Sequence, residues 1–308
     1  MSDSVVTSPA SLSAAGSFRL RVMAAFFAIY FLWGTTFLAI RVAVEELPPL
    51  FAAGTRFFMA GAVLFVFVLS RGEARPTPVQ WRNLAVMASL MFVAEYGPLF
   101  WAEKYVPSGI VSVLAATIPI LTLILEMLIL RQRHFRWATA LSSILGFVGV
   151  GVLLLHGNGQ SFGLLPCFAI LAGSVCWSLG TVLSRALDLP KSRPLTSGAA
   201  MMLGGAGLLV LSAAFGELHP FPHISLRAAA AVLYLIVFGS LIAFTAFVWL
   251  LSHIPASTVS SHAYVNPIVA VALGYFVAGE PVTVRTLAGS SLVLLSVFLI
   301  LRPAKSVR

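Results

Sequence analysis

Charge is what this sequence has least of. Only 9% of its 308 residues are Asp, Glu, Lys or Arg, against roughly 25% in soluble domains. Aspartate is almost missing, present only as Asp3 and Asp188. So few charges leave large apolar patches that water does not tolerate, and 59% hydrophobic residues with a mean hydropathy of +1.00 sharpen the point. The excess apolar surface must face lipid. A cytosolic protein and a nucleic-acid binder are excluded. Cysteine is scarce too: Cys167 and Cys176 lie in one apolar segment without metal-site spacing, so a secreted disulfide scaffold is excluded as well. There is no G-x-x-x-x-G-K-[ST] loop for ATP, no HExxH helix, and no Asp inside an apolar run for an aspartyl dyad. His219 and His223 sit in a Pro-rich loop where they share no helix face, so no metal is expected. No cofactor is expected.

What is present is a series of long apolar runs. At about 20 residues per bilayer crossing, they read as ten helices at 22–44, 50–69, 84–102, 108–130, 137–155, 164–184, 196–216, 228–251, 256–279 and 286–302. Residues 1–21 form a Ser/Ala-rich tail expected to be disordered, and 303–308 a C-terminal tail. The first run is too long for a signal-peptide core. Fourteen of the 19 Lys and Arg fall on one set of alternate loops and tails, four (Arg41, Lys104, Arg227, Arg285) on the other, and Arg56 inside a run. The positive-inside rule puts both termini in the cytoplasm of a plasma-membrane protein, which requires an even number of crossings.

The chain also resembles itself. Trp33 and Arg41 are eight apart, as are Trp177 and Arg185. Pro107 and Pro255 differ by 148, and the same offset relates Pro119 to Pro267, Ser112 to Ser260, Ala115 to Ala263, and Ser142-Ser143 to Ser290-Ser291. The halves are therefore 22–155 and 164–302. Five crossings in each make them point opposite ways across the bilayer, as in many secondary transporters.

Trp33-Gly34-Thr35-Thr36, Arg56-Phe57 followed by Ala60-Gly61, two Pro-centred helices, and Gly279-Glu280 followed by Gly289 carry a family likeness. On these residues the chain resembles EamA-type transporters of the drug/metabolite transporter superfamily, over about residues 22–302. The first half departs from the pattern, with Arg131-Gln132 where the second has Gly279-Glu280. The resemblance implies ten helices, a substrate path between the halves, and efflux of amino acids, metabolites or drugs.

Several residues are candidates for that path. Pro119 and Pro267 would free the carbonyls of Ala115 and Ala263 near mid-membrane, as passive kinks or as paired hinges. Glu95 stands among Met91, Phe92, Val93 and Tyr96. A charge there costs about 2.5–3.5 kcal/mol unless it is neutral, paired or facing water, and Arg56 is its expected ion-pair partner, with a structural pair and a substrate or proton site equally open. Tyr96 and Trp101 add aromatic surface, Trp101 alternatively as an interfacial anchor. Glu126 reads as pairing with the Arg131 cluster or snorkelling. Trp33, Thr35, Thr36, Trp177, Ser178 and Thr181 form a duplicated aromatic–hydroxyl set, for lining or for close packing. His262 and Asn266 share a helix face beside Pro267.

These residues give an all-α membrane carrier, not an enzyme, exporting a small organic solute that is neutral, zwitterionic or a lipophilic cation. Its partners are that solute and the lipid bilayer, without nucleic acid; a homodimer stays open. Rival classes are an intramembrane enzyme on lipid-linked substrates, which needs clustered acids or histidines, a channel, and a membrane scaffold.

Overall fold

The structure is a computed structural model and describes residues 9–129, 137–154, 163–219, 224–254, 259 and 262–301. Among these residues there is helix and turn but no strand. Arg131-Gln132, Pro255, Ser260 and His223 lie outside the described residues.

We number the helices along the chain: α1 (Ser17–Val44), α2 (Pro49–Ser70), α3 (Pro78–Ala102), α4 (Ser108–Ile129), α5 (Trp137–Leu154), α6 (Leu164–Leu183), α7 (Arg193–Ala214), α8 (Leu226–Leu251), α9 (His262–Ala278) and α10 (Val284–Leu301). Seven of them, α1–α4 and α6–α8, are long and apolar enough to cross a membrane. Starts follow the local chemistry. Pro49 and Pro78 occupy first-turn positions, where the missing N–H would have no helical partner. Thr77 and Gln80 form a capping box before α3. Those polar turns carry α3 six residues beyond the apolar run that marks it in the sequence.

Apolar side chains also cover the outside. On α2, Met59, Val63, Val66 and Phe67 are exposed at helical spacing, while Phe57, Ala60, Gly61 and Val68 are buried. On α9, Phe276 and Val277 are exposed, and on α5 Phe147 and Val148. An outer surface of this kind suits hydrocarbon.

Three helices contain wide π turns, Ala28–Leu32 in α1, Ser89–Val93 in α3 and Leu235–Ile242 in α8. Such turns loosen the backbone ladder and recur near functional sites. In α4 the regular ladder is interrupted, with Thr117 N donating to the Leu114 carbonyl at 3.1 Å. The helix Ser108–Ala115 closes at Ala116, and Ile118–Ile129 starts a turn later, with Pro119 at its second position. Pro267 instead lies within an unbroken α9.

Packing joins the early helices to the late ones. α2 packs along α7, α5 along α10, and α4 on α9; α1 meets α8 and α9, and α6 meets α3 and α4. The α2–α7 crossing is held close by glycine. A Cβ on Gly54 would lie 2.8 Å from Leu209 Cγ, and one on Gly198 2.8 Å from Phe65 N. One on Gly61 would overlap the backbone of Met202, and one on Gly205 that of Phe58. Small residues permit such approach between membrane helices.

Candidate functional site

The centre of the bundle is an aromatic cage. Trp33 of α1 and Trp177 of α6 meet edge to face, with ring centres 6.1 Å apart. Trp33 also touches Phe247 at 5.1 Å and His262 at 5.0 Å, and Tyr96 reaches Trp177 at 5.9 Å. The Trp33 indole N–H donates to the Gly239 carbonyl at 3.0 Å. That carbonyl lies in the π turn of α8, where acceptors leave the regular ladder. Trp33, Tyr96, Trp177 and His262 wall a cavity of ≈ 60 Å³, lined also by Thr36, Ser112, Ala115, Ala116, Ile118, Glu95, Asn266 and Pro267. It has room for only a few waters. The broken turn of α4 and the proline of α9 thus face one space.

Polar groups in the cage are few, and most are tied down. Thr36 Oγ1 donates to the Trp33 carbonyl at 2.7 Å, and Ser112 Oγ to the Gly109 carbonyl at 2.7 Å. With its amide turned to satisfy both ends, Asn266 donates to the Tyr30 and Ile29 carbonyls at 2.8 and 3.1 Å and accepts from His262 Nδ1 at 3.2 Å. Tyr30 and Ile29 belong to the π turn of α1. Glu95 differs. It is 3% exposed, and its Oε2 has no hydrogen-bond partner. A Cβ on Gly173 of α6 would sit 2.5 Å from that oxygen and 3.2 Å from the Glu95 backbone, so the carboxylate would have to shift to admit one.

Sequence expectation and structure part in four places. Arg56 is fully buried but does not pair with Glu95: its Nε donates to Ser240 Oγ at 2.9 Å, and its guanidinium lies over the rings of Phe57 (4.6 Å) and Tyr96 (5.4 Å). Glu126 pairs with Arg185 of the α6 end at 2.7 Å, because α4 packs along α6; the Arg131 cluster lies outside the described residues. Trp101 lies outside the cage, half-buried against Tyr105 near the α3 terminus. Thr181 is buried outside it too, its hydroxyl without a partner. Thr35 Oγ1 meets the Tyr234 hydroxyl at 2.5 Å, and Ser178 Oγ donates to the Ile118 carbonyl at 3.2 Å, so both act between helices.

A second, wider chamber of ≈ 410 Å³ escaped sequence reasoning. Met87, Met91, Phe244, Phe247, Val248 and Leu251 form its apolar wall, and Arg185, Asp188 and Arg193 its charged part. Phe247 borders this chamber and also touches Trp33 and Trp177 (5.8 Å) of the cage. One aromatic layer separates the two spaces. At the opposite end of the bundle, two carboxylates hold the starts of helices. Gly279, at φ +64°, ends α9 in the left-handed conformation that favours glycine. This aims Glu280 at the start of α4, where its carboxylate accepts from Ser108 N (2.9 Å), Ser108 Oγ (3.0 Å) and Gly109 N (3.3 Å). Glu217, past α7, accepts from Leu50 N and Phe51 N at the start of α2 in the same manner. Among the described residues there is no cluster of three or more His, Cys, Asp or Glu able to hold a metal ion.

Comparison with known proteins matches this architecture. The EamA-like transporter family matches the chain twice, over residues 20–155 and 164–302. The chain is 38% identical over 267 residues to an uncharacterized inner membrane transporter of Escherichia coli K12, YedA, covering 85% of this chain and 84% of that one. An uncharacterized transporter of Archaeoglobus fulgidus is 28% identical over 281 residues, covering 88% and 95%. YoaV, an uncharacterized transporter of Bacillus subtilis, is 24% identical over 286 residues, covering 91% and 96%. One solved crystal structure shares the fold with a TM-score of 0.66 at 19% identity, over 91% of this chain and 96% of that one. With the family's signature found in each half, the chain belongs to the EamA-like transporter family.

Proposed function

We propose that this protein is a secondary carrier of the inner membrane, with ten crossings in two inverted five-helix halves, which exports a small organic solute by alternating access. It is a transporter, not an enzyme, with both termini cytoplasmic. The observation that carries this reading is the exchange relation between the halves. Moving Gly61 up by 144 positions and Met202 down by 144 turns their contact into that of Gly205 with Phe58, and the same exchange maps Gly54–Leu209 onto Gly198–Phe65. Trp33 and Trp177, at the same offset, meet at the cage. Helix contacts that survive exchange of the halves are what a two-fold axis in the membrane plane produces.

On this reading the cage is the solute site, contracted here around a few waters. The wider chamber is its approach from the cytoplasm, and the Glu280 and Glu217 caps seal the far side. Trp33, Tyr96, Trp177, Glu95, His262 and Asn266 contact the solute, while the α4 break at Pro119 and the proline within α9, Pro267, are the hinges. The aromatic wall suits a solute with an apolar or aromatic body. A thermal-shift screen in detergent against amino acids, nucleosides and quaternary ammonium compounds tests the site. A stabilising solute should lose its effect in Trp33→Ala and Trp177→Ala. Stabilisation that persists in both variants refutes the cage as the site.

A further inference from the structure

We propose that Glu103 and Glu280 form a proton-binding site at the sealed end of the bundle, and that the carrier's coupling proton binds there rather than at the central cage. The proposal rests on the carrier reading for its place in transport, but the site itself stands on its own geometry.

Glu103 follows α3 directly. Its exposure is 0%, and neither carboxylate oxygen has a hydrogen-bond partner. Its backbone is nevertheless fixed, since the Glu103 N–H donates to the Leu99 carbonyl at 3.0 Å and the Glu103 carbonyl accepts from Arg41 Nη1. Two charged groups face it, Glu280 from the turn after α9 and Arg41 from α1. Arg41 is shared with Glu45 (3.7 Å), which Arg227 of α8 also holds at 3.1 Å. Lys104, next in sequence, points to solvent. The α4 side offers Ser108 and Gly109, and Glu280 already takes their donors. Burial, reinforced by Glu280 and only partly countered by Arg41, holds the Glu103 carboxyl well above its usual range.

Protonated, Glu103 leaves Glu280 as the single negative charge of the site, free to hold the start of α4 and close that end. When Glu103 gives its proton to solvent, two carboxylates face each other, and the arrangement yields by releasing the Glu280 cap and opening the end. The closed form has the raised pKa. The open form exposes Glu103 to water, with an ordinary value of about 4.3. Closing therefore takes up a proton between those limits. The closed end is secure below the ordinary value and is lost as pH rises through the raised one.

Hydrogen exchange on the full-length protein in nanodiscs, corrected for the intrinsic pH dependence, tests this without any transported solute. Amides of residues 108–112 should lose protection as pH rises, by up to about tenfold per pH unit for one proton released. Glu103→Gln should hold those amides protected at every pH. Glu280→Gln should weaken the cap and move the remaining transition to lower pH, because it removes one cause of the raised value. Wild-type protection that stays flat with pH, a Glu103→Gln profile that still titrates, or an unmoved Glu280→Gln midpoint each overturns the proposal. If this site titrates but no solute binds the protein, the carrier reading alone fails.

Discussion

The crossing of α2 and α7 offers the sharpest test of the packing. Gly61→Ala places a methyl where the Met202 backbone lies, and Gly205→Ala does the same at Phe58. A backbone cannot swing aside as a side-chain tip can, so the helices must part. Overpacking of this kind costs about 1–3 kcal/mol, and the upper half of that range applies where backbone is the obstacle. Replacing Gly by Ala within a helix returns about 1 kcal/mol. Each variant should therefore lose about 1–2 kcal/mol net, and the two losses should be alike because the contacts are equivalent. The double variant should lose less than the sum, since one parting of the helices relieves both sites. Gly151→Ala is the control: nothing lies within 4 Å of its added methyl, so it should be neutral or slightly stabilising. Thermal unfolding in one detergent, followed by the loss of helical circular dichroism, reads all four. If Gly61→Ala and Gly205→Ala behave like Gly151→Ala, or differ strongly from each other, the close and symmetric crossing is wrong.

Three other perturbations follow from the site. Glu126→Gln removes the partner of a partly exposed Arg185 and should cost no more than about 1 kcal/mol; a loss several times larger in the same unfolding assay contradicts that placement. Glu95→Gln keeps the shape of the carboxyl beside Gly173, so the fold should survive. If the coupling proton sits at Glu103, the pH dependence of transport in proteoliposomes should remain in Glu95→Gln, whereas its loss would return the coupling role to Glu95. Trp33→Phe removes the indole N–H and frees the Gly239 carbonyl in the π turn of α8. It should raise the Kd of a cage-bound solute while leaving the amide exchange of residues 108–112 unchanged, and an altered exchange pattern would join the cage to the far seal directly.

The helices were legible because lipid imposes a simple pattern: every long apolar run found in the sequence corresponds to a helix. Their ends were less so. α3 starts at Pro78 instead of near residue 84, since its capping box and first turn are polar. The hydroxyl and aromatic pairs were visible through duplication, and Trp33, Trp177, His262 and Asn266 do converge on one cavity. Pairing was the hard part. Arg56 and Glu95 are both buried and on neighbouring helices, yet side-chain direction sends the guanidinium to Ser240. Glu126 finds Arg185, 59 residues away, because α4 lies along α6. Glu103 drew no notice in the sequence: beside Lys104, at the end of an apolar run, it reads as an ordinary exposed loop residue. Only folding reveals that Arg41 and Glu280 close over it.

Spin labels at both ends of the bundle test alternating access itself. One pair, at Asp188 and Ser252, spans the mouth of the wider chamber; the other, at Lys104 and Val284, spans the sealed end. Double electron–electron resonance in nanodiscs should show the two distances changing in opposite senses, the second lengthening as the first shortens, when pH or a bound solute shifts the population. Both ends open at once would mean a channel, and two distances that never change would mean a scaffold. Either result would contradict the account.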